Sequence, residues 1–452
     1  MNINLQGRDW LWLPSVYFTR GLPYVIVFLV SLVFFNRMGL SNGEITLRTS
    51  WFFIPFILRP ILGRVVSGFA TKRTWLLAME ALMALCMYAV SVSIASEYWE
   101  LLTNFFLFLT ASTAVVHDVA VARFCKLAIA RKRPMFSGIH SIFLMMSVIA
   151  GMGIPLVLAG NLEVLNRVVT TSWNSTFKLL SLTFVLLFVY HLMVVPRPKD
   201  KSSIPVRSGL TRRWWLETKT TFMSLPNYVA LFCFLLLFLI PEGMFFRIAP
   251  LFLIDPGSNG GLSLSPQELG LVQGSVGAFA AIFGCALGAK CIRKWGLKRC
   301  IWPMVCAITL PKMLYIYLSY NFVSTLSIIN ICVGIEQFGF GFGITAYILF
   351  LIYSSQGKYS TFKFSMASAV AAFSLMMSGW FTGSLQEYLG YRKFFVIVAI
   401  ANILPFIVTA FLEITKLLEA TATDKTVGDE SANNSVRHHA IAELGENPKP
   451  EA

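Results

Sequence analysis

Apolar residues run through this chain in long stretches separated by short polar segments. A helix needs about 20 mainly apolar residues to cross the hydrocarbon core of a bilayer. Twelve stretches meet that length: near 12–36, 45–67, 75–95, 100–125, 135–160 and 174–196, then near 227–253, 267–289, 301–319, 322–350, 360–385 and 391–414. The pattern predicts an all-α, polytopic membrane protein with twelve transmembrane helices in two six-helix halves. Between the two sets lies a polar stretch rich in basic residues, including Lys199, Lys201, Arg207, Arg212 and Arg213. The expected division is an N-terminal half (1–196), a basic central loop (197–226), a C-terminal half (227–415) and a tail (416–452). The tail is polar, mixed in charge and poor in apolar residues, the composition of a disordered segment.

Composition sharpens this picture. Of 452 residues, 56% are apolar and 13% charged, about half the charged fraction of a soluble domain. A soluble enzyme, a nucleic-acid binder and a disordered scaffold are excluded as the main reading. The net charge of +15 is explained by where the basic residues sit. They concentrate in the loops after runs two, four, six, eight and ten, for example at Lys72, Arg73, Arg131, Arg133, Lys290, Arg299, Lys358 and Lys363. Basic loops stay on the cytosolic side, so both termini are expected there, and no nucleic acid is needed as a partner. The first apolar run lacks a small-residue cleavage site and is expected to remain as a helix. The eight cysteines form no CxxC pair and no zinc-like spacing with histidine, so buried, inert thiols are expected, with no metal and no cofactor.

Ionisable groups are costly in a spanning helix, so each marks a candidate site. Arg20 stands in the first run, and Arg48 and Arg59 in the second. Their separation is about three turns, so Arg48 and Arg59 would share one face of a straight helix to within roughly 20°. Arg48 is close enough to the outer end to snorkel; Arg59 is too deep for that. His117 and Asp118 lie in the fourth run, with Arg123 expected at its cytosolic end. Arg20, Arg59 and Asp118 fall at similar depth, Asp118 being about 10 Å from the boundary at 1.5 Å per residue. Two arginines against one aspartate leave a net positive site suited to bidentate bonding of an anion; a closed structural network is the alternative. His117 is either a group that titrates near neutrality or an ordinary hydrogen-bonded histidine. In the second half, Glu242 and Arg247 occupy run seven, Lys312 run nine and Glu336 run ten. Desolvation favours the neutral form of a carboxyl group, which makes Glu242 and Glu336 candidates for proton coupling, unless Arg247 or Lys312 pairs with them. Gly339, Gly341 and Gly343 follow Glu336 and permit either close packing or a bend.

The six-plus-six plan with a basic central loop resembles the major facilitator superfamily, whose solute site lies near mid-membrane between the halves. Gly63-x-x-x-Ser67-x-Phe69-Ala70-Thr71-Lys72-Arg73 is similar to the signature loop of that superfamily, with Ser67 at its acidic position, and Gly296-Leu297-Lys298-Arg299 is a fainter echo. Several segments resemble one branch, the AmpG-type muropeptide permeases and their acetyl-coenzyme A transporter relatives. Phe18-Thr19-Arg20-Gly21-Leu22-Pro23 is similar to the family's opening F-x-x-G-L-P. The segment from Ala111 to Phe124 is similar to A-x-Q-D-I-x-x-D-A-[WY], with His117 on the Gln and Asp118 on the first Asp. Glu242 falls where the family has an acid in helix 7. Glu336 with its glycine run, Thr345-Ala346-Tyr347 and Leu351 resembles the family's helix 10, and 383–391 its turn between helices 11 and 12. The chain departs from the family at Ala122 and Leu127, where acids are lost, at Leu239 or Ile240, where a Lys is lost, and at Arg20, which replaces a small residue.

The resemblance implies a proton-driven importer of anhydromuropeptides in a bacterial inner membrane, and a monomer that is not an enzyme is expected. The lost acids and the added arginine point to a ligand more anionic than, or different from, the usual one. Arg20, Arg59, Arg247 and His117 are the expected solute-binding residues, and Asp118, Glu242 and Glu336 the expected proton-coupling residues. The partners are then a small anionic solute, protons and the lipid bilayer. The rival readings are an exporter or carrier of another organic anion, a membrane-bound transferase, and a sensor that binds without transporting. His117 and Asp118, adjacent and buried, make a poor catalytic pair.

Overall fold

The computed structural model describes residues 9–68, 70–128, 135–197, 228–355 and 360–412. The central loop beyond Arg197, the basic segment at 131–133, Lys358 and the tail lie outside the described residues. Twelve helices account for nearly all the rest: α1 (9–37), α2 (42–68), α3 (Lys72–Ser93), α4 (Trp99–Ala128), α5 (135–166), α6 (Val169–Val194), α7 (228–254), α8 (266–295), α9 (297–321), α10 (Leu326–Ser354), α11 (360–389) and α12 (391–410). Among the described residues, ten stretches are long and apolar enough to cross a membrane, and α2 does so as a bent pair. The longest stretch, Phe362–Ala410, is two helices. Gly390 breaks it at φ 73°, ψ 163°, a conformation open to a residue without Cβ.

Large apolar side chains stand outward along these helices: Leu101, Leu165, Met193 and Phe283 are 70%, 76%, 73% and 66% exposed. Soluble monomers do not carry such a belt; lipid covers it. The end of the bundle where α1 begins is called the near side below, and the opposite end the far side. Successive helices alternate in direction. On the near side Tyr190 donates to Leu11 O, and Arg73 donates to Leu192 O at 2.9 Å and Val195 O at 3.1 Å. Those carbonyls close α6, where its negative dipole end favours a cation. On the far side Arg37 joins Glu163 at 2.7 Å, and Glu163 accepts from Trp173 at 2.9 Å.

Helix α2 is not straight. Phe52 and Phe53 bond Thr49 O and Ser50 O in tight turns ahead of Pro55, and the helix bends by 48° beside Pro60. Each proline removes a backbone donor and crowds the preceding turn. The shared face expected for Arg48 and Arg59 is therefore lost. Arg48 pairs with Glu100 at 2.6 Å, both partly exposed on the far side. Arg123, expected at the cytosolic boundary, is half-buried against Gly63 of α2.

Glycines set how closely the helices meet. A Cβ on Gly339 would stand 2.1 Å from Ala307 O of α9, and one on Gly341 would stand 2.1 Å from Ala281 O of α8. Residues two apart on a helix point to opposite sides, so alternate glycines let α10 fit between α8 and α9. Of the two roles expected for this run, close packing is the one observed. Between α5 and α8 the approach is backbone to backbone: a Cβ on Gly274 would lie 2.6 Å from the Cα of Gly153. Helices α1, α5 and α8 each contain a π-helical turn, at Ile26–Val30, Ile149–Gly153 and Val272–Gly277, and the turn in α5 packs against the other two.

Candidate functional site

Asp118 comes from the middle of α4 and is buried. Its Oδ1 accepts from Arg20 Nε of α1 and its Oδ2 from Arg59 Nη2 of α2. The three residues placed at one depth by sequence are thus in one cluster, in direct contact. The carboxylate is 3% exposed while the Arg20 and Arg59 side chains remain 20% and 18% exposed. One negative charge between two guanidinium groups leaves the cluster net positive. The Arg59 guanidinium also lies 5.9 Å from the ring of Phe364 on α11, and Tyr24 stands close enough to feel all three charges.

His117, next to Asp118 in sequence, bonds elsewhere. Its Nε2 lies 3.2 Å from Glu80 Oε1 of α3, which His191 Nδ1 of α6 approaches at 2.8 Å. His117 is thus part of a second buried cluster. Glu80 and His191 went unnoticed in the sequence, although Glu80 is an ionisable residue well inside an apolar run.

In the second half, Glu242 of α7 pairs with Lys312 of α9, whose ammonium also lies 3.4 Å from Asn402 Oδ1 of α12. Of the two bases considered for Glu242, Lys312 is its partner. Glu336 of α10 accepts from its neighbour Gln337 at 2.9 Å. It is 2% exposed and feels the charges of Glu242 and Lys312. Arg247 is different again. Buried at 1%, it donates to Gly243 O at 3.2 Å and Ser378 Oγ at 3.3 Å. Its guanidinium lies 5.3 Å from the ring of Phe53 on α2. Its Nη2 has no hydrogen-bond partner, and it has no acidic partner, among the described residues.

On the far side the two sets of helices are tied together. Asp255, at the end of α7, accepts from Asn36 at 2.6 Å, from Asn42 at 3.0 Å and from Tyr391. Asn42 also reaches Gln386 Oε1 at 2.8 Å, and Gly43 N donates to Glu387 at 2.7 Å. A cavity of about 480 Å³ opens over this network.

The sequence profile of the Major Facilitator Superfamily matches residues 15–361. The chain belongs to the major facilitator superfamily. A Rickettsia conorii protein named as transporter AmpG 4 is 22% identical over 407 residues, 84% of this chain and 90% of that one. A Rickettsia typhi protein named as transporter AmpG 2 is 20% identical over 191 residues; there the chain spans 42% of its own length and 45% of the relative's. Among solved structures, a D-xylose–proton symporter superposes with a TM-score of 0.62 at 12% identity, covering 87% of this chain and 95% of that one. A POT family transporter in complex with 5-aminolevulinic acid gives 0.65 at 12%, covering 88% and 95%. At such identities the likeness is one of fold. This superfamily member is a multi-pass, all-helical membrane protein whose relatives and structural neighbours are transporters.

Proposed function

We propose that the chain is a proton-coupled secondary transporter that imports an anionic solute, such as an anhydromuropeptide or a related cell-wall fragment, by alternating access. The observation that carries this reading is the Arg20–Asp118–Arg59 cluster. It lies deep in the bundle, is net positive, and keeps both guanidinium groups partly accessible while the carboxylate is covered. A surplus guanidinium charge in low dielectric calls for an anion, and its fork suits carboxylate or phosphate. Arg247, buried with Nη2 unpaired among the described residues, offers a second anchor. The near side is the cytosolic one by the basic-loop pattern. The far-side bonds then hold the outer side closed, and the halves 1–196 and 227–415 are the bodies that move.

Protons enter through the carboxyl groups that lack a firm basic partner. Glu242 is held by Lys312, whereas among the described residues Glu336 is bonded by an amide alone. Glu336 is therefore the primary coupling group, and Glu242 exchanges when its lysine is drawn away. Asp118, held by two arginines, serves as their counter-ion until the solute displaces it.

Uptake of labelled anhydromuropeptide into proteoliposomes, with and without an inward proton gradient, tests the reading. Gradient-dependent uptake by the wild type and none by a folded Arg59→Ala variant are expected. Normal uptake by that variant would sink the anion clamp. No uptake by folded wild type would mean another organic anion, or binding without transport, and a thermal-shift screen of organic anions would follow.

A further inference from the structure

The second buried cluster has a geometry of its own. Glu80, His117 and His191 are each 0% exposed and come from α3, α4 and α6. They form a continuous line of hydrogen-bonding atoms. Ser15 Oγ of α1 donates to Trp12 O at 3.0 Å and lies 2.9 Å from His191 Nε2. His191 Nδ1 lies 2.8 Å from Glu80 Oε1, and that same oxygen is 3.2 Å from His117 Nε2. Among the described residues, Glu80 Oε2 and His117 Nδ1 have no hydrogen-bond partner. Glu80 pairs with no Lys or Arg among them; the groups that face it are the two imidazoles. Beyond these stand Ser15 on α1, and Asp118 on α4 with its partners Arg20 and Arg59.

Depth orders its three titratable members, and Ser15 stands beside His191. Counted from the near ends of their helices at 1.5 Å per residue, His191 lies about 5 Å in, Ser15 about 9 Å, Glu80 about 12 Å and His117 about 16 Å. His117 then adjoins Asp118 in the chain. A carboxylate without a strong base at such a place demands a proton nearby, and an imidazole on either side can supply one.

We propose that Ser15, His191, Glu80 and His117 form a proton-carrying chain between the Arg20–Asp118–Arg59 site and the near, cytosolic face. The proposal rests on the proton-coupled reading above and adds a route through the first half of the molecule. A proton arriving at His117 Nδ1 releases the one on Nε2 to Glu80 Oε1. Glu80 passes it to His191 Nδ1, and the proton on His191 Nε2 leaves through Ser15 Oγ. One proton enters and one departs. Both rings are left in their other tautomer and reset by turning over. As the pH falls the cluster takes up one further proton, shared between Glu80 and the imidazoles.

Proton uptake by the purified full-length protein, titrated without solute between about pH 8 and pH 5, tests this. Wild type should take up about one proton more than Glu80→Gln; His140, His438 and His439 contribute equally to both. His191→Gln should lower the uptake in the same way. A folded variant of either kind that matches the wild type overturns the proposal. Should neither fold, nuclear magnetic resonance of wild type labelled at histidine decides. Two ring signals moving together with pH support the chain, and two buried rings that hold one state throughout overturn it. The titration is made without solute, so failure of the anion clamp leaves this result untouched. Retention of the proton in Glu80→Gln together with its loss in Asp118→Asn would place it at Asp118 and overturn the route.

Discussion

Asp118 serves two arginines with its two oxygens, so the members of the cluster are not equivalent. Removing the aspartate strands both guanidinium groups, whereas removing one arginine leaves a neutral pair. Asp118→Ala should therefore lose about 3 kcal/mol of stability, read by thermal unfolding in detergent, and Arg59→Ala markedly less. Glu336 has the opposite character, a buried acid beside an amide. Glu336→Gln keeps its size and removes its proton chemistry; we expect solute exchange across equal concentrations to continue while accumulation driven by a proton gradient disappears. Arg20, Arg59 and Asp118 were readable in the sequence because a charge in an apolar run stands out. Their mutual contact was not, since it depends on three helices converging. Glu80 was readable by the same rule and overlooked. His191 and Asp255 sit at the ends of apolar runs, where a polar residue looks like an ordinary helix boundary.

The helices themselves were legible almost to the residue in places, because bilayer thickness fixes their length. Their irregularities were not. The bend in α2 needs Pro55 and Pro60 to act in one short span, and it separates Arg48 from the site that Arg59 enters. The π-helical turns in α1, α5 and α8 carry no sequence marker comparable to a proline. Glycine spacing was visible, but which neighbour each glycine admits could be learned only from the packing. Gly274 faces backbone rather than side chain, at the crossing of α5 and α8. Gly274→Val should cost about 2 kcal/mol through overpacking and should lower uptake, since α5 and α8 could no longer close on each other. Thermal unfolding and initial uptake rates together check this.

The far-side network ties α1 and α2 to α7, α11 and α12 through two carboxylates, amides, a phenol and a backbone N–H. None of its amides looked remarkable in sequence, because Asn36, Asn42 and Gln386 read as loop-proximal polar residues. Asn42 is the hub, and Asn42→Ala removes contacts to Asp255, Gln386 and Tyr391 at once. We expect it to favour opening of the far side. A cysteine at Ser50, a position buried beneath the network, should then react faster with a membrane-impermeant thiol reagent added from that side, by about tenfold for each 1.4 kcal/mol removed. Unchanged labelling would show that the network does not hold the closure. Its chemistry has a further result. Every bond in it joins a carboxylate or a neutral acceptor to a neutral donor, and among the described residues no cation pairs within it. Added salt weakens exposed attractions between opposite charges, but it has little purchase on contacts of this kind. The closure should hold equally well in dilute and in concentrated surroundings, so a cell passing through an osmotic shock would keep this door shut on the side that meets the change.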